Sequence, residues 1–382
     1  MASLGYIVYA LASLFNPVSF FLYGHHSQYT GGSNSSTEHD DQFKVALFVF
    51  GDSLFEAGNN GYLPNVTTEL DAAIAPPYGE TFFHYPTGRF SDGRIVPDFI
   101  AKYAKLPMLP PYLQPGPHDF TDGCNFASAG AGVLVQTNPG RSISLPAQLS
   151  FFKDVRKSLQ QKLGDLKAKR VLREAVYLIG IGGDDYFDFY NDFPNATESL
   201  QLEAVAVVVG NLSIILQDIY DLGGRKFAFQ NAGPLGCIPY RRQEHNSIEG
   251  CVEGLNSLAR LHNTALVATL EELESQLLGF KYSIFDYYNS LDDRLRNPAK
   301  YGFTNATDAC CGTGLFRAAY CGGDNGTKPY ELCNNVGDYL WFDGSHTTEI
   351  ANIPIAELIW SGTPNVTGPY NVKQLFQQVS AY

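Results

Sequence analysis

Basic residues are scarce in this sequence, and no segment concentrates them. The 26 lysines and arginines are outnumbered by 39 aspartates and glutamates, which gives a formal net charge of -13 at pH 7. Nucleic-acid binding depends on a basic surface that neutralises phosphate groups. We therefore expect no nucleic-acid partner.

Heptads, internal repeats of the length found in solenoids and long low-complexity tracts are also absent. The 382 residues are 45% hydrophobic and 17% charged, as in an ordinary globular protein with a sizeable core. Residues 76–117 are rich in proline, glycine and aromatic residues. Their hydrophobic content is too high for a disordered spacer, so we interpret them as an ordered excursion from the fold.

The first 23 residues carry no charged side chain and are mostly apolar. Two interpretations compete, a cleaved secretory signal and a membrane anchor. Asn16-Pro17 interrupts the apolar run, and a polar segment follows it. We favour a signal peptide over residues 1–24, then a flexible segment over 25–43 and a single domain over 44–382. The mature form is expected to be secreted, without a stable membrane anchor, and the vacuole is the alternative destination.

Cysteines and glycosylation sequons agree with secretion. Four of the seven cysteines fall within 24 residues (Cys310, Cys311, Cys321 and Cys333), and their spacing fits no zinc template. In a secreted chain they favour disulfides over a metal site. Cys237 and Cys251 are candidates for a third bridge, which leaves Cys124 as a buried free thiol. Asn-x-Ser/Thr sequons occur at Asn34, Asn65, Asn195, Asn211, Asn305, Asn325 and Asn365.

Short apolar runs alternate with long amphipathic stretches along the chain. The runs predict strands at 44–50, 123–127, 175–181, 226–230 and 281–285, and the stretches predict helices at 201–222, 256–278 and 350–359. This alternation is typical of a parallel sheet covered by helices on both faces. Ligands of such sheets bind beyond the carboxyl ends of the strands, so residues that follow a strand are the candidates for a site.

Ser53 directly follows the first predicted strand, within Phe50-Gly51-Asp52-Ser53-Leu54. The preceding glycine permits a sharp turn that would present the serine at the edge of the sheet. A helix beginning here would favour developing negative charge at its N-terminus. The alternative interpretation is a serine that only caps a helix.

Asp343 and His346 form the second candidate element, near the end of the chain. An aspartate three residues before a histidine can fold back to accept the Nδ1 proton, which leaves Nε2 free to take a proton from a serine hydroxyl. Taken alone, this spacing would indicate a turn or a helix start. Together with Ser53 it indicates a catalytic triad.

Four motifs stand along the chain at 51–60 (GDSLFEAGNN), 123–132 (GCNFASAGAG), 181–186 (IGGDDY) and 343–349 (DGSHTTE). Between them lie further segments at 87–94 (TGRFSDGR), 231–237 (NAGPLGC) and 309–312 (ACCG). With these segments, in this order, the chain resembles the plant GDSL lipase/esterase family of SGNH hydrolases, and the four motifs are similar to its first, second, third and fifth blocks. The resemblance implies a flavodoxin-like, three-layer α/β/α sandwich with a parallel sheet.

The resemblance also implies a serine esterase or lipase that uses no metal and no cofactor. Ser53 would attack an ester carbonyl, His346 would act as general base and then acid, and Asp343 would orient the imidazole. The backbone N–H groups of Ser53 and Gly130 would hold the oxyanion, together with a side chain of the third block. The substrate would be an ester of a lipid or of a small acylated plant metabolite, and we expect a monomer.

Asp184 departs from the family pattern, because the third block has asparagine where this chain has aspartate. An amide donates to an oxyanion, whereas an ionised carboxylate repels it, and the loss of one donor costs roughly 100–1,000-fold in rate. Burial could keep Asp184 protonated and able to donate. Otherwise the two N–H groups support a slow enzyme, or the chain is a catalytically impaired binding or accessory protein. An acyltransferase that uses the same acyl-enzyme is a further alternative.

Other polar residues near these motifs are interpreted as structural. Asp52 and Asp185 are expected to accept hydrogen bonds near the site, and Arg89 is expected to pair with Asp92. Packing is the expected role of the aromatic residues of the excursion, with an acyl pocket as the alternative for Phe82, Phe83 and Tyr85.

Overall fold

A computed structural model describes residues 44–64, 72–323 and 327–378. The predicted signal peptide, the predicted flexible segment and the sequons at Asn34, Asn65 and Asn325 lie outside these residues.

A six-stranded sheet lies at the centre of the described fold. Its strands are β1 (Leu47–Gly51), β2 (Gly123–Asn125), β3 (Val176–Gly180), β4 (Lys226–Gln230), β5 (Lys281–Phe285) and β10 (Thr367–Pro369). Across the sheet the order is β2-β1-β3-β4-β5-β10. The first five strands are parallel, and β10 runs antiparallel to β5 at the edge. The order of the parallel strands is that of flavodoxin-like folds.

Helices cover the sheet on both faces. They are α1 (Val96–Tyr103), α2 (Leu145–Leu163), α3 (Asp165–Glu174), α4 (Gly183–Asp192), α5 (Glu198–Asp221), α6 (Pro239–Glu244), α7 (Glu253–Gln276), α8 (Tyr287–Arg296), α9 (Glu349–Ser361) and α10 (Val372–Gln377). Helices α5 and α7 pack together, and α1 packs against α9. The predicted helices and strands are all present, with ends that differ by a few residues.

Alternate side chains of β1 enter two different hydrophobic layers. Leu47 and Val49 join a core that contains residues of α1, α9 and α10. Phe48 and Phe50 point the other way, and both rings contact Phe152 of α2 at 5.3 and 5.8 Å between centroids. A strand buried on both faces in this way reads as a continuous apolar run in the sequence. The predicted three-layer α/β/α sandwich is confirmed.

Three disulfides are present: Cys237–Cys251, Cys310–Cys333 and Cys311–Cys321. The third bridge is therefore the one that the sequence suggested, and Cys124 is the buried free cysteine. The bridges of the cysteine cluster hold a region of two small sheets, formed by β6 (Asn305–Ala309) with β9 (Tyr339–Trp341) and β7 (Cys311–Gly312) with β8 (Glu331–Leu332).

Among the described residues, α5 is a helix long and apolar enough to cross a membrane by length and composition. In the fold one side of it is buried, through Val205, Val208, Val209, Leu212, Ile215, Leu216 and Ile219. This pattern is that of a helix packed on the core of a globular domain.

Candidate active site

The turn that follows β1 holds Ser53 at the carboxyl edge of the sheet. The N–H of Asp52 donates to the carbonyl of Gly180 in β3, and the Asp52 carboxylate accepts the N–H of Leu54 at 3.0 Å. A Cβ on Gly51 would lie 2.4 Å from the Gly180 oxygen, so this close approach requires glycine. Ser53 is half-buried and lines a cavity beyond the strand.

Ser53, His346 and Asp343 form a continuous chain of hydrogen bonds. His346 Nε2 lies 2.7 Å from Ser53 Oγ, although the two residues are 293 positions apart in the chain. His346 Nδ1 lies 2.8 and 2.9 Å from the two carboxylate oxygens of Asp343. The structure therefore brings together the three residues that the sequence singled out. An imidazole held in this way exposes Nε2 to the hydroxyl proton.

The Asp343 carboxylate is buried, yet it is held in its ionised form. Burial by itself raises its pKa, but the positive charge of His346 and several hydrogen bonds together lower that pKa below its usual value. The N–H groups of Ser345 and His346 both donate to Oδ1 at 2.8 Å. This folding back within three residues is the arrangement expected from the sequence.

The second family block brings Gly130 to the same cavity as Ser53. The carboxylate of Glu56 accepts the N–H of Asn60 and of Ala129, each at 2.5 Å, and so ties the block to the turn after β1. The Asn138 amide donates to the Gly130 carbonyl at 2.9 Å. Gly130 itself has φ +75°, a left-handed conformation that favours glycine.

Asp184 lies in the first turn of α4 and also lines this cavity. Burial raises its pKa well above the usual value, and the negative charge of Asp52 raises it further. Arg241 opposes these effects, whereas Asp185 and Asp188 add to them. These surroundings favour the neutral acid, which can donate a hydrogen bond.

The neighbouring acids have the structural contacts that the sequence suggested for Asp185 and Asp52. Asp185 accepts the N–H groups of Val133 and Leu134 and the hydroxyl of Thr137, which ties the third block to the second. Burial raises the pKa of Asp52 to about 7, and the charge of Asp185 adds to the rise. The hydrogen bond from the Leu54 N–H lowers this pKa but offsets only part of the rise.

The predicted pairing of Arg89 with Asp92 is wrong. Arg89 instead makes a buried bidentate pair with Asp98 of α1, with both N–O distances at 2.8 Å. The Asp92 carboxylate accepts the Thr81 hydroxyl and the backbone N–H of Glu349. A bidentate pair needs the guanidinium and the carboxylate in one plane, and the first turn of α1 supplies that geometry.

The cavity has a volume of about 560 Å³ and mixes apolar with charged walls. Leu54, Leu235 and Ile238 contribute apolar surface, and Arg141 and Arg241 contribute charge. This volume is in the range of small-molecule sites. Within residues 44–64, 72–323 and 327–378, no group of three or more His, Cys, Asp or Glu side chains is arranged to hold a metal ion.

Sequence reasoning missed two aromatic residues of the excursion. Tyr78 donates to Asp343 Oδ2 at 2.7 Å, and the Phe90 ring lies 4.7 Å from the His346 ring. Phe82, Phe83 and Tyr85, for which an acyl pocket was the alternative, instead contact one another edge to face. No local pattern distinguishes these aromatics, because the contacts depend on how the excursion folds back.

A serine, a histidine and an aspartate joined in this order at the carboxyl edge of a parallel sheet define the arrangement of serine hydrolases. Comparison with known proteins identifies the family. A sequence model described as GDSL-like Lipase/Acylhydrolase matches residues 47–359, and the chain belongs to this family.

The similar proteins are plant GDSL proteins matched over most of their length. GDSL esterase/lipase 1 of Arabidopsis thaliana is 48% identical over 343 residues, which cover 87% of this chain and 90% of the relative. A GDSL lipase of Tanacetum cinerariifolium is 44% identical over 88% of this chain and 89% of its own. The Arabidopsis protein named Inactive GDSL esterase/lipase-like protein 25 is 36% identical over 88% of this chain and 76% of its own. Membership of the family supports the assignment of this chain as a carboxylic-ester hydrolase.

Proposed function

We propose that this protein is a secreted serine esterase or lipase that hydrolyses esters of lipids or of small acylated plant metabolites through an acyl-enzyme at Ser53. The observation that carries the proposal is the 2.7 Å contact between Ser53 Oγ and His346 Nε2. It joins a nucleophile to a base that a buried carboxylate already orients.

In the proposed first step, Ser53 Oγ bonds to the ester carbonyl carbon while its proton passes to His346 Nε2. The resulting oxyanion is held by the N–H groups of Ser53 and Gly130 and by Asp184. When the intermediate collapses, the ester C–O bond breaks and the alcohol leaves with the proton from His346. Water then attacks the acyl-enzyme by the same route, which releases the acid and restores the serine.

Asp184 serves this mechanism only as a neutral acid. The upward shift of its pKa by burial and by Asp52 supports that form. A relative that is named inactive makes the competing candidate, a catalytically impaired binding or accessory protein, worth testing. That candidate rests on one observation, which is that Asp184 stands where the family pattern has asparagine.

Labelling with a fluorophosphonate probe tests the serine directly. We expect the purified mature protein to be labelled and Ser53→Ala to be unlabelled. Ser142→Ala is a suitable control, because this half-buried serine adjoins the cavity-lining Arg141 and should leave labelling intact. A correctly folded wild-type protein that takes no label and hydrolyses neither short nor long p-nitrophenyl esters would reject the proposal.

Acyl transfer is distinguished from hydrolysis by the products. An acyl-enzyme that excludes water would pass its acyl group to an alcohol acceptor. We expect free acid as the product both with and without added alcohol. A new ester that forms in proportion to the acceptor would assign the protein to the acyltransferases.

We also propose that residues 1–24 are removed on secretion and that residues 44–382 form one domain of a monomer. Three disulfides support passage through an oxidising compartment. Among the described residues, Asn195 and Asn365 are the expected glycosylation sites, because both are exposed and lie outside the helices. Asn211 is also exposed, but it lies within α5. N-terminal sequencing and glycosidase treatment of protein from the extracellular fluid check these statements; an uncleaved N-terminus in intracellular protein would contradict them.

A further inference from the structure

The Asp343 carboxylate has a hydrogen-bond donor besides the two backbone groups and the imidazole. The Tyr78 hydroxyl donates to Asp343 Oδ2 at 2.7 Å, and the tyrosine is only 3% exposed. The N–H groups of Ser345 and His346 both serve the other oxygen, Oδ1. Oδ2 therefore accepts its hydrogen bonds from Tyr78 and from the imidazole N–H, which both oxygens share.

The excursion that carries Tyr78 is fixed to the histidine segment at several points. The N–H of Gly79 donates to the Ser91 carbonyl, and the Ser91 hydroxyl in turn donates to the Thr347 carbonyl at 3.1 Å. One residue further, the Asp92 carboxylate accepts the N–H of Glu349 at 2.7 Å. These bonds join the segment that follows Tyr78 to the segment that follows Asp343, so the fold sets the position of the phenol.

Aromatic packing fixes the orientation of the phenol as well. The Tyr78 ring meets the rings of Phe90 and Phe342 edge to face, with centroids 6.0 and 5.3 Å apart. Phe90 also covers the His346 ring at 4.7 Å. One aromatic cluster thus holds Tyr78 against the carboxylate and closes one side of the imidazole.

We propose that Tyr78 is a positioning residue of this site, which fixes the Asp343 carboxylate and thereby sets the orientation and basicity of the His346 imidazole. The inference rests on the proposed function in that the imidazole is taken as the general base. Tyr78 acts through Asp343 and needs no contact with the ester.

The phenol keeps its proton throughout the working pH range. Burial, the negative charge of Asp343 and the hydrogen bond to it all raise the pKa of Tyr78 well above its usual value. Donation by the phenol spreads the carboxylate charge. Without it, Asp343 would hold the imidazolium more strongly, and the imidazole would become a stronger base that titrates at higher pH.

Tyr78→Phe tests this role, because it removes only the hydroxyl. We expect kcat to fall about tenfold with KM little changed, since the base is misplaced while the cavity keeps its shape. The acid limb of kcat/KM should move up by about half to one pH unit, and so should the NMR titration midpoint of the imidazole. The His346→Gln variant assigns the imidazole signal. Fluorophosphonate titration of active sites corrects for any unfolded protein.

Tyr177→Phe is the matched control. Tyr177 is fully buried in β3, and its hydroxyl donates to the Leu172 carbonyl at 2.8 Å. This variant loses a buried hydroxyl and one hydrogen bond, but it should leave the acid limb and the imidazole titration where they are in the wild type.

An unchanged imidazole titration in folded Tyr78→Phe would overturn the proposal, as would an equal shift in Tyr177→Phe. The NMR measurement does not require turnover. If the wild type hydrolyses no ester and yet the titration moves, the proposed function fails while the role of Tyr78 stands. If the wild type hydrolyses esters and the imidazole titration is the same in Tyr78→Phe, the role of Tyr78 fails while the proposed function stands.

Discussion

Asp343 and Asp184 line one cavity, yet their surroundings shift their pKa values in opposite directions. Burial favours the neutral form of both. At Asp343 the charge of His346 and the donors around the carboxylate outweigh burial, whereas at Asp184 the charges of Asp52, Asp185 and Asp188 add to it and Arg241 offsets only part. The difference teaches that neighbouring donors and charges, rather than depth of burial, decide which form of a carboxyl the site holds.

The largest expected effect comes from neutralising the ionised member of this pair. Asp343→Asn should lower kcat by about 1,000–10,000-fold, because an amide no longer stabilises the imidazolium and can impose the wrong tautomer. Steady-state kinetics with a p-nitrophenyl ester measure the loss. A variant that retains near wild-type kcat would show that His346 needs no carboxylate.

Substitution of Asp184, the neutral member of the pair, should change kcat in a way that depends on pH. Wild-type kcat should fall as pH rises through the folded-state pKa of Asp184, because the ionised carboxylate repels the oxyanion. The kcat of Asp184→Asn should not show this alkaline fall, and at low pH it should be somewhat below the wild-type kcat. Asp184→Ala should lose about 10–1,000-fold in kcat at low pH. kcat-pH profiles of the three proteins decide the point. A large rise for Asp184→Asn at every pH would show an ionised Asp184 that impairs catalysis.

Asp52 extends the comparison to folding stability. Its pKa of about 7 lies above its usual value, so the folded protein binds this proton more tightly than the unfolded chain does. The stabilisation is present at acid pH and is lost as pH rises towards 7. Asp52→Asn should therefore raise the free energy of unfolding at pH 8 by about 1–3 kcal/mol and leave it little changed at pH 4. Urea denaturation at both pH values measures it, and equal gains at both would contradict the assignment.

An exposed carboxylate gives the smallest effect. The hydrogen bond from Lys162 lowers the pKa of Asp119 to about 2, with a further contribution from Thr121. Both partners are more than half exposed, so water and salt screen the pair. Lys162→Ala should change the free energy of unfolding by less than about 1 kcal/mol at pH 7. Thermal denaturation in low and high salt checks this, and a loss of several kcal/mol would mean that the pair is structural.

Much of the fold follows from local patterns in the sequence. A continuous apolar run predicts the strand at 44–50, and the side chains of β1 fill both layers of the core. The helices predicted at 201–222 and 256–278 are present because their apolar spacing matches one helical face. The Cys237–Cys251 bridge is the third one that the sequence suggests.

The contacts that the sequence did not predict are those between distant segments. Arg89 meets Asp98 rather than Asp92, because the start of α1 turns the more distant carboxylate towards the guanidinium. Tyr78 reaches Asp343 across 265 positions in the chain. Composition and periodicity report only the face that a residue presents, so the partner across the fold stays undetermined.

The separation of Ser53 from His346 by 293 positions has a consequence for synthesis. A ribosome adds the residue with the hydroxyl 293 positions before the residue with the imidazole. Because β10 and α10 come later still, the sheet gains its edge strand only after the imidazole has been added. The nascent polypeptide therefore cannot assemble the Ser53–His346–Asp343 arrangement until residue 346 has been added, and the sheet that positions it is completed only after that.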